Sequence, residues 1–114
     1  MEQARNMLIV TLVTDDGTAI NCPQKAIIAL GRRDDANINQ IDIDFSLLNE
    51  HGVSRLHAFI FMTDDAAYIQ DYNSRNGTYI NQQQLYPLKR YPLHHGNQLM
   101  LGRIILTVHI ENQA

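Results

Sequence analysis

The chain has 114 residues, which is the size of one domain and too short for a two-domain enzyme. Its 45% hydrophobic and 18% charged residues lie close to the globular average, so the chain can bury a core of its own. Twelve acidic against nine basic residues give a net charge of −3, which argues against a general affinity for nucleic acid or an anionic membrane.

Cysteine usage and hydropathy point to the compartment. Cys22 is the single cysteine, which excludes an internal disulfide and favours a reducing environment. The longest apolar run, residues 7–13, is too short to span a bilayer, and the N-terminus lacks the pattern of a signal peptide. We therefore expect a soluble, cytoplasmic protein.

Short β-type segments follow one another along the chain. Residues 7–13 are rich in β-branched side chains and run into a turn at residues 15–18. Residues 45–50 predict a loop with at most one helical turn, and residues 85–93 predict an edge loop whose tyrosines pack locally. Further strands are predicted at residues 26–31, 57–63, 67–71, 78–81, 98–102 and 104–110.

This pattern predicts an all-β fold. Many short strands without amphipathic helices between them indicate an antiparallel sandwich or barrel and exclude the parallel α/β folds. We expect one domain at residues 7–110, with short tails at residues 1–6 and 111–114.

Three clusters near predicted strand ends combine turn residues with groups that bind phosphate. They are Gly31-Arg32-Arg33, the segment from Ser54 to His57, and residues 71–78. Strand ends of a sandwich gather at its rims, so these loops can meet in one site. Gly31 is expected to turn the chain at positive φ and to project Arg32 from the rim. A solvent-exposed arginine after a turn is the alternative.

Catalytic and metal sites have weak support. Ser54, His57 and Asp71 could in principle form a hydrolase triad, but positions three apart in an extended segment face opposite ways. His57 is better interpreted as a buried residue that holds the adjacent loop. His94-His95 has no further ligand at metal spacing, and no glycine-rich phosphate loop is present.

In their order and spacing, the clusters resemble the forkhead-associated (FHA) domain. The matching segments are Gly31-Arg32, Ser54-Arg55-x-His57, residues 71–81 and Gly96-Asn97. The resemblance extends from about residue 7 to residue 110. It implies an antiparallel β-sandwich of two sheets with binding loops at one apex. It also implies recognition of phosphothreonine peptides without catalysis and without a cofactor.

The resemblance assigns roles to individual residues. Arg32 and Ser54 match the residues that contact the phosphate, and Arg55 and Arg75 match positions that add a phosphate or peptide contact. Asn76 matches the asparagine that binds the peptide main chain. The residues that match loop-shaping positions are Gly31, His57 and Gly77.

Two positions depart from the family pattern. Asn81-Gln82 stands where Asn-Gly is usual, so we expect that turn to be longer or differently shaped. Gly96-Asn97 replaces Gly-Asp and removes one charge. Neither change falls on an expected phosphate ligand.

The implied function is a phosphothreonine-dependent binding module that works with a Ser/Thr kinase, most simply as a monomer. The alternative keeps the fold as a phosphate-independent scaffold or as a homodimer through an outer sheet face. The third hypothesis, a small hydrolase, ranks last.

Overall fold

The computed structural model describes residues 7–113, with side chains for all of them except 7, 48–50 and 113. The expected N-terminal tail, residues 1–6, lies outside the described residues, whereas residues 111–113 of the expected C-terminal tail belong to a strand. In chain order, the elements are β1 Met7–Thr14, β2 Ala19–Asn21, β3 Ile27–Gly31, β4 Ile43–Asp44, a 3-10 helix Ser46–His51, β5 Leu56–Met62, β6 Ala67–Asp71, β7 Thr78–Ile80, β8 Gln83–Gln84, β9 Arg90–Leu93, β10 Gln98–Leu101 and β11 Ile104–Gln113.

The strands form two sheets, which confirms the all-β sandwich. One sheet has the order β2-β1-β11-β10-β7-β8, and the other has the order β4-β3-β5-β6-β9. All pairings are antiparallel except that of β3 with the two-residue strand β4. Within residues 7–113, no helix is long and apolar enough to cross a membrane.

The core lies between the sheets and follows from period-2 alternation along the strands. In β11, Ile104, Leu106 and Val108 are buried while the residues between them are more exposed. Ile60 of β5 and Leu99 of β10, from opposite sheets, are both fully buried. This alternation gives each sheet one apolar face, and the two apolar faces pack together.

All seven predicted strands are confirmed, and four short strands were missed. The missed strands are β2, β4, β8 and β9, of two to four residues each. Strands this short have little sequence pattern. In addition, β8 consists of Gln83-Gln84, and β9 contains Pro92, which is unusual in a strand. Since β9 is the last strand of its sheet, the missing N–H of Pro92 is tolerated there.

Two predicted loops contain regular structure. The segment at residues 45–50 forms the 3-10 helix Ser46–His51, which is more than the single turn expected. The expected edge loop at residues 85–93 contains β9, and its tyrosines do pack locally, because Tyr86 N–H donates to Tyr91 Oη at 3.0 Å.

The β7–β8 turn is a two-residue hairpin of the type that Asn-Gly also forms, so the expectation of a longer or differently shaped turn was wrong. Ile80 pairs with Gln83, which leaves only Asn81 and Gln82 in the turn. Their φ angles are 49° and 73°, as a type I′ turn requires. Gln82 therefore adopts the left-handed conformation that glycine adopts without steric cost.

We expect Gln82→Gly to raise the free energy of unfolding by about 0.5–1 kcal/mol, because it removes the left-handed strain at a small entropic cost. Urea denaturation would measure the change. Gln83→Gly is the matched control, since Gln83 is not among the residues with positive φ and the same change there should destabilise. Equal destabilisation by both variants would contradict the strain argument.

Candidate functional site

The three predicted clusters meet at one end of the five-stranded sheet. Gly31 at the end of β3 pairs with Leu56 at the start of β5, and Ala58 of β5 pairs with Asp71 at the end of β6. The loops that leave these strand ends border an open cleft of about 560 Å³. The cleft is lined by Arg32, Gly52, Val53, Ser54, Arg55, Arg75, Asn76 and Arg103.

Arg32 is anchored to the loop before β5 by main-chain and side-chain hydrogen bonds. Its backbone N–H donates to the Arg55 carbonyl at 3.1 Å, and its Nε donates to the Val53 carbonyl at 3.1 Å. Among the described residues, the two terminal guanidinium nitrogens have no hydrogen-bond partner. The arginine is thus held in the cleft while its terminal donors remain available.

Ser54 and Arg75 connect the second and third clusters. The backbone N–H of Arg75 donates to Ser54 Oγ at 3.0 Å. Because that oxygen already accepts a hydrogen bond, the Ser54 hydroxyl hydrogen can be donated to a ligand in the cleft. The Arg75 N–H is used within the protein, so its exposed guanidinium is the part of Arg75 that can reach a ligand.

Asn76 closes the cleft by contact with Gly52, which was not among the predicted site residues. Its Nδ2 donates to the Gly52 carbonyl at 2.9 Å. A Cβ on Gly52 would lie 2.7 Å from that nitrogen, and one on Gly102 would lie 2.5 Å from the Gly52 oxygen. Both glycines also have positive φ. Side chains at either position would therefore disturb the packing of these loops.

Arg55 lines the cleft but is also ion-paired. Its Nη1 lies 3.1 Å from Asp34 Oδ2, and this hydrogen bond holds the pKa of the Asp34 carboxyl below its ordinary value. Both side chains are partly exposed, so the pair contributes little to stability. The charge of Arg55 is therefore partly compensated within the protein.

His57 is fully buried and bridges two loops, as expected for a loop-shaping residue. Its Nδ1 accepts from the Ser54 N–H at 3.0 Å, which requires the proton to be on Nε2. Nε2 then donates to the Gly77 carbonyl at 3.0 Å. The ring is neutral, and burial lowers its pKa below the ordinary value of 6.5.

Asp71 organises the loop that carries Arg75 and Asn76. It is buried and accepts from the Ser74 N–H at 3.1 Å, from the Ser74 hydroxyl at 2.5 Å and from the Thr78 hydroxyl at 2.6 Å. The Ser74 oxygen accepts in turn from the Gly77 N–H. Only the possible triad role of Asp71 was considered from sequence, although its spacing to Ser74 is typical of a turn cap.

Ser54, His57 and Asp71 do not have the geometry of a catalytic triad. His57 binds the backbone N–H of Ser54 rather than its hydroxyl, and its other nitrogen binds Gly77 rather than Asp71. The Asp71 carboxylate faces hydroxyl groups instead. These three residues therefore do not form a proton relay from serine to aspartate.

The expected role of Gly31 needs a correction. Gly31 is not among the residues with positive φ, so it does not serve as a left-handed turn. A Cβ there would instead lie 2.1 Å from the Arg55 carbonyl oxygen and 2.9 Å from its carbon. Gly31 is required because the two backbones approach closely where β3 pairs with the irregular start of β5. Gly77, in contrast, does have positive φ, at 90°.

A comparison with known families decides the assignment. The model of the FHA domain matches residues 28–102, nearly two thirds of the chain, and this range contains every predicted site residue. The chain belongs to the FHA-domain family.

Relatives of this FHA domain come from distant organisms. It is 37% identical over 81 residues to protein FraH of Nostoc sp., an alignment that covers 71% of this chain and 28% of FraH. It is 34% identical over 76 residues to the human angiogenic factor with G patch and FHA domains 1. That alignment covers 60% of this chain and 11% of the human protein, so the chain spans less than a third of either relative.

Solved structures share the architecture. One structure, from work on phosphothreonine-dependent FHA domain interactions, aligns with a TM-score of 0.71 at 28% identity and covers 90% of this chain and 97% of that one. The MEK1 FHA domain, solved with a phosphothreonine peptide of HOP1, aligns with a TM-score of 0.68 at 23% identity and covers 90% and 96% of the two chains.

Outside the cleft, Cys22 and the histidines show no sign of metal chemistry. In the described part of the FHA domain, no group of three or more His, Cys, Asp or Glu side chains could hold a metal ion. The His95 ring packs edge-on against His109, with centroids 5.3 Å apart. Cys22 is buried, and burial raises the pKa of its thiol to about 12.

We expect Gly31→Ala to lower the free energy of unfolding by about 1–3 kcal/mol, because the β3 and β5 backbones must separate to accept a methyl group. Gly17→Ala is the control: Gly17 has a φ of 89° but nothing within 4 Å of its Cβ position, so only backbone strain of about 1 kcal/mol is added. Urea denaturation of both variants measures the difference. If Gly31→Ala were the milder change, close approach would not be the constraint.

The buried His57 should make stability depend on pH. Because its folded pKa lies below 6.5, the unfolded chain binds more protons below that pH. We therefore expect the free energy of unfolding to level off well above about pH 6.5 and to fall as the pH drops through that value, with a slope of at most about 1.4 kcal/mol per pH unit, the limit for one proton.

Urea denaturation between pH 7.5 and 5 would measure this slope, and NMR of the His57 ring would report its titration directly. His94→Gln, which removes an exposed ring, should keep the slope. The carboxylates with lowered pKa values do not interfere, because their contribution is lost only below about pH 3.8. A flat stability profile down to pH 5 would contradict the neutral, buried imidazole.

Proposed function

We propose that this FHA domain is a non-catalytic module that binds phosphothreonine peptides through the cleft around Arg32. The observation that supports this most directly is the anchoring of Arg32 to Val53, which leaves its terminal guanidinium donors in a cleft with three further arginines. Phosphothreonine has a charge of about −1.5 to −2 at neutral pH and three acceptor oxygens. The charge and the hydrogen-bonding capacity of phosphothreonine therefore match those of the cleft.

Each cleft residue has a role in this proposal. Arg32 and the Ser54 hydroxyl donate to phosphate oxygens, and the Arg55 and Arg75 guanidinium groups add positive charge or a peptide contact. Asn76, held by Gly52, uses its remaining N–H and its amide oxygen to bind the peptide main chain. Gly31, His57 and Gly77 keep the three loops in this arrangement.

Known relatives support the same conclusion. The solved structure at 28% identity comes from work on phosphothreonine-dependent interactions. The wider proposal is that a Ser/Thr kinase produces the ligand on a partner protein and that the domain acts as a monomer in the cytoplasm. It needs no cofactor, and its net charge of −3 does not favour nucleic acid or an anionic membrane as the ligand.

We expect Arg32→Ala to weaken phosphothreonine peptide binding by about one to two orders of magnitude, because a hydrogen bond to a charged group contributes roughly 1.5–3 kcal/mol. An oriented phosphopeptide array identifies the peptide, and titration calorimetry measures its affinity. Arg90→Ala is the matched control, since Arg90 stacks on Phe61 of the sheet and does not line the cleft.

The same titrations test the chemistry of the ligand. The unphosphorylated peptide should not bind measurably, and the phosphoserine peptide should bind at least about fourfold more weakly, because it lacks one methyl group. Equal affinity for all three peptides would refute the proposal.

A second candidate, a phosphate-independent scaffold or homodimer, has one supporting observation. On the outer face of the five-stranded sheet, Ile27 is 52% exposed and Phe59 contacts Phe61 and Tyr72 edge-on, although Arg90 stacks over Phe61 there. Self-association in sedimentation velocity, together with a partner interaction unchanged by Arg32→Ala, would favour this candidate over phosphothreonine binding.

A further inference from the structure

An apolar groove of about 450 Å³ lies beside the phosphate cleft. It opens between β2 and β4, which are edge strands of the two different sheets. Buried Phe45 and Ile104 contribute to its lining, together with the half-buried Ile20 and Ile105. None of the site residues predicted from sequence lines it.

Leu47 gives this groove an unusual feature. The side chain is 93% exposed although it is large and apolar, and it belongs to the 3-10 helix that borders the groove. A single exposed leucine needs no explanation, but here it adjoins further apolar side chains. A ligand that enters the groove would cover it.

The groove is continuous with the cleft. Arg103 lines both, and consecutive residues divide between them, because His51 lines the groove and Gly52 lines the cleft. The Arg103 N–H donates to the His51 carbonyl at 2.6 Å, which ties the β10–β11 turn to this boundary. An extended chain that leaves the cleft over Arg103 enters the groove directly.

The charge of the surface changes sign along this path. Among the described lining residues, the cleft has four arginines and no acid, whereas the groove has Asp15, Asp16 and Asp44, with Arg103 at the boundary that the two share. Hydrogen bonds from Thr14 and Thr18 lower the pKa of Asp16. Partial burial raises the pKa of Asp44, but hydrogen bonds from the Arg33 N–H and from Ser46 outweigh it. Both carboxylates are therefore negative at neutral pH.

We propose that the groove is a second binding subsite for the same phosphothreonine peptide, which inserts an apolar side chain against Leu47 and places a neighbouring Lys or Arg against the aspartates. This deepens the proposed function and rests on it. Charge complementarity selects this occupant, because one ligand must be anionic at the cleft and cationic at the groove. The aspartates would repel the headgroups of an anionic membrane.

The first experiment is a phosphothreonine peptide library with every other position randomised, screened against the whole chain. We expect selection for an apolar residue and an adjacent Lys or Arg at a fixed distance from the phosphothreonine. Replacing that apolar residue by Ala in the selected peptide should weaken binding to the unmodified protein about tenfold in titration calorimetry.

Variants connect this selection to the groove. Leu47→Ala should reduce affinity for the selected peptide several-fold and remove most of the further effect of the peptide Ala substitution, as expected for two groups in direct contact. Ile27→Ala is its control, since Ile27 is also exposed and apolar but stands at the far end of β3. Asp15→Lys should abolish the preference for Lys or Arg in the peptide. Glu111→Lys makes the same change in net charge at the far end of β11 and should not.

The outcomes separate the two proposals. If Arg32→Ala abolishes binding while Leu47→Ala and Asp15→Lys leave the selected sequence and its affinity unchanged, the groove proposal is wrong and phosphothreonine binding stands. If no phosphothreonine peptide binds the unmodified protein, both proposals are overturned. If the control variants Ile27→Ala or Glu111→Lys also removed the peptide sequence preference, the groove proposal would again be contradicted.

Discussion

The site depends on one neutral imidazole that holds two loops together. His57 accepts from the Ser54 N–H and donates to the Gly77 carbonyl, and it is fully buried while doing so. Both ring nitrogens are therefore used, and protonation would place two N–H donors face to face at Ser54. The positions of Ser54 and of the loop through Asn76 follow from this single side chain. A charged or smaller residue at position 57 would leave buried backbone groups without partners.

Around His57, most polar groups of the loops form hydrogen bonds within the protein, and a few donors remain for a ligand. Asp71 takes the Ser74 and Thr78 hydroxyls, the Arg75 N–H is used on Ser54, and Asn76 is held by Gly52. The donors that remain in the described part of the cleft include the terminal nitrogens of Arg32, the Ser54 hydroxyl and the second amide N–H of Asn76. Such preorganisation favours binding, because the protein groups need little reordering when the ligand arrives.

Glycines determine how closely these loops can approach. Gly31 faces the Arg55 carbonyl, and Gly102 faces the Gly52 carbonyl, so that strand ends from both sheets contact the loop before β5. The β10–β11 turn also forms the boundary between the basic cleft and the acidic groove. This turn therefore contacts the loop before β5, which lines the cleft, and separates two surfaces of opposite charge.

The sequence alone determined the longer strands, the all-β class and five of the eight described residues that line the cleft, because period-2 alternation and the order of Arg32, Ser54 and Asn76 are local or linear patterns. It did not determine the two- to four-residue strands, which depend on pairing with a neighbour. It also misjudged Gly31, because a close approach between two backbones leaves no trace in either segment. The contacts of Gly52 and Gly102 and the groove beside Leu47 join residues that are distant in the chain. Only the packing of the two sheets brings these residues together.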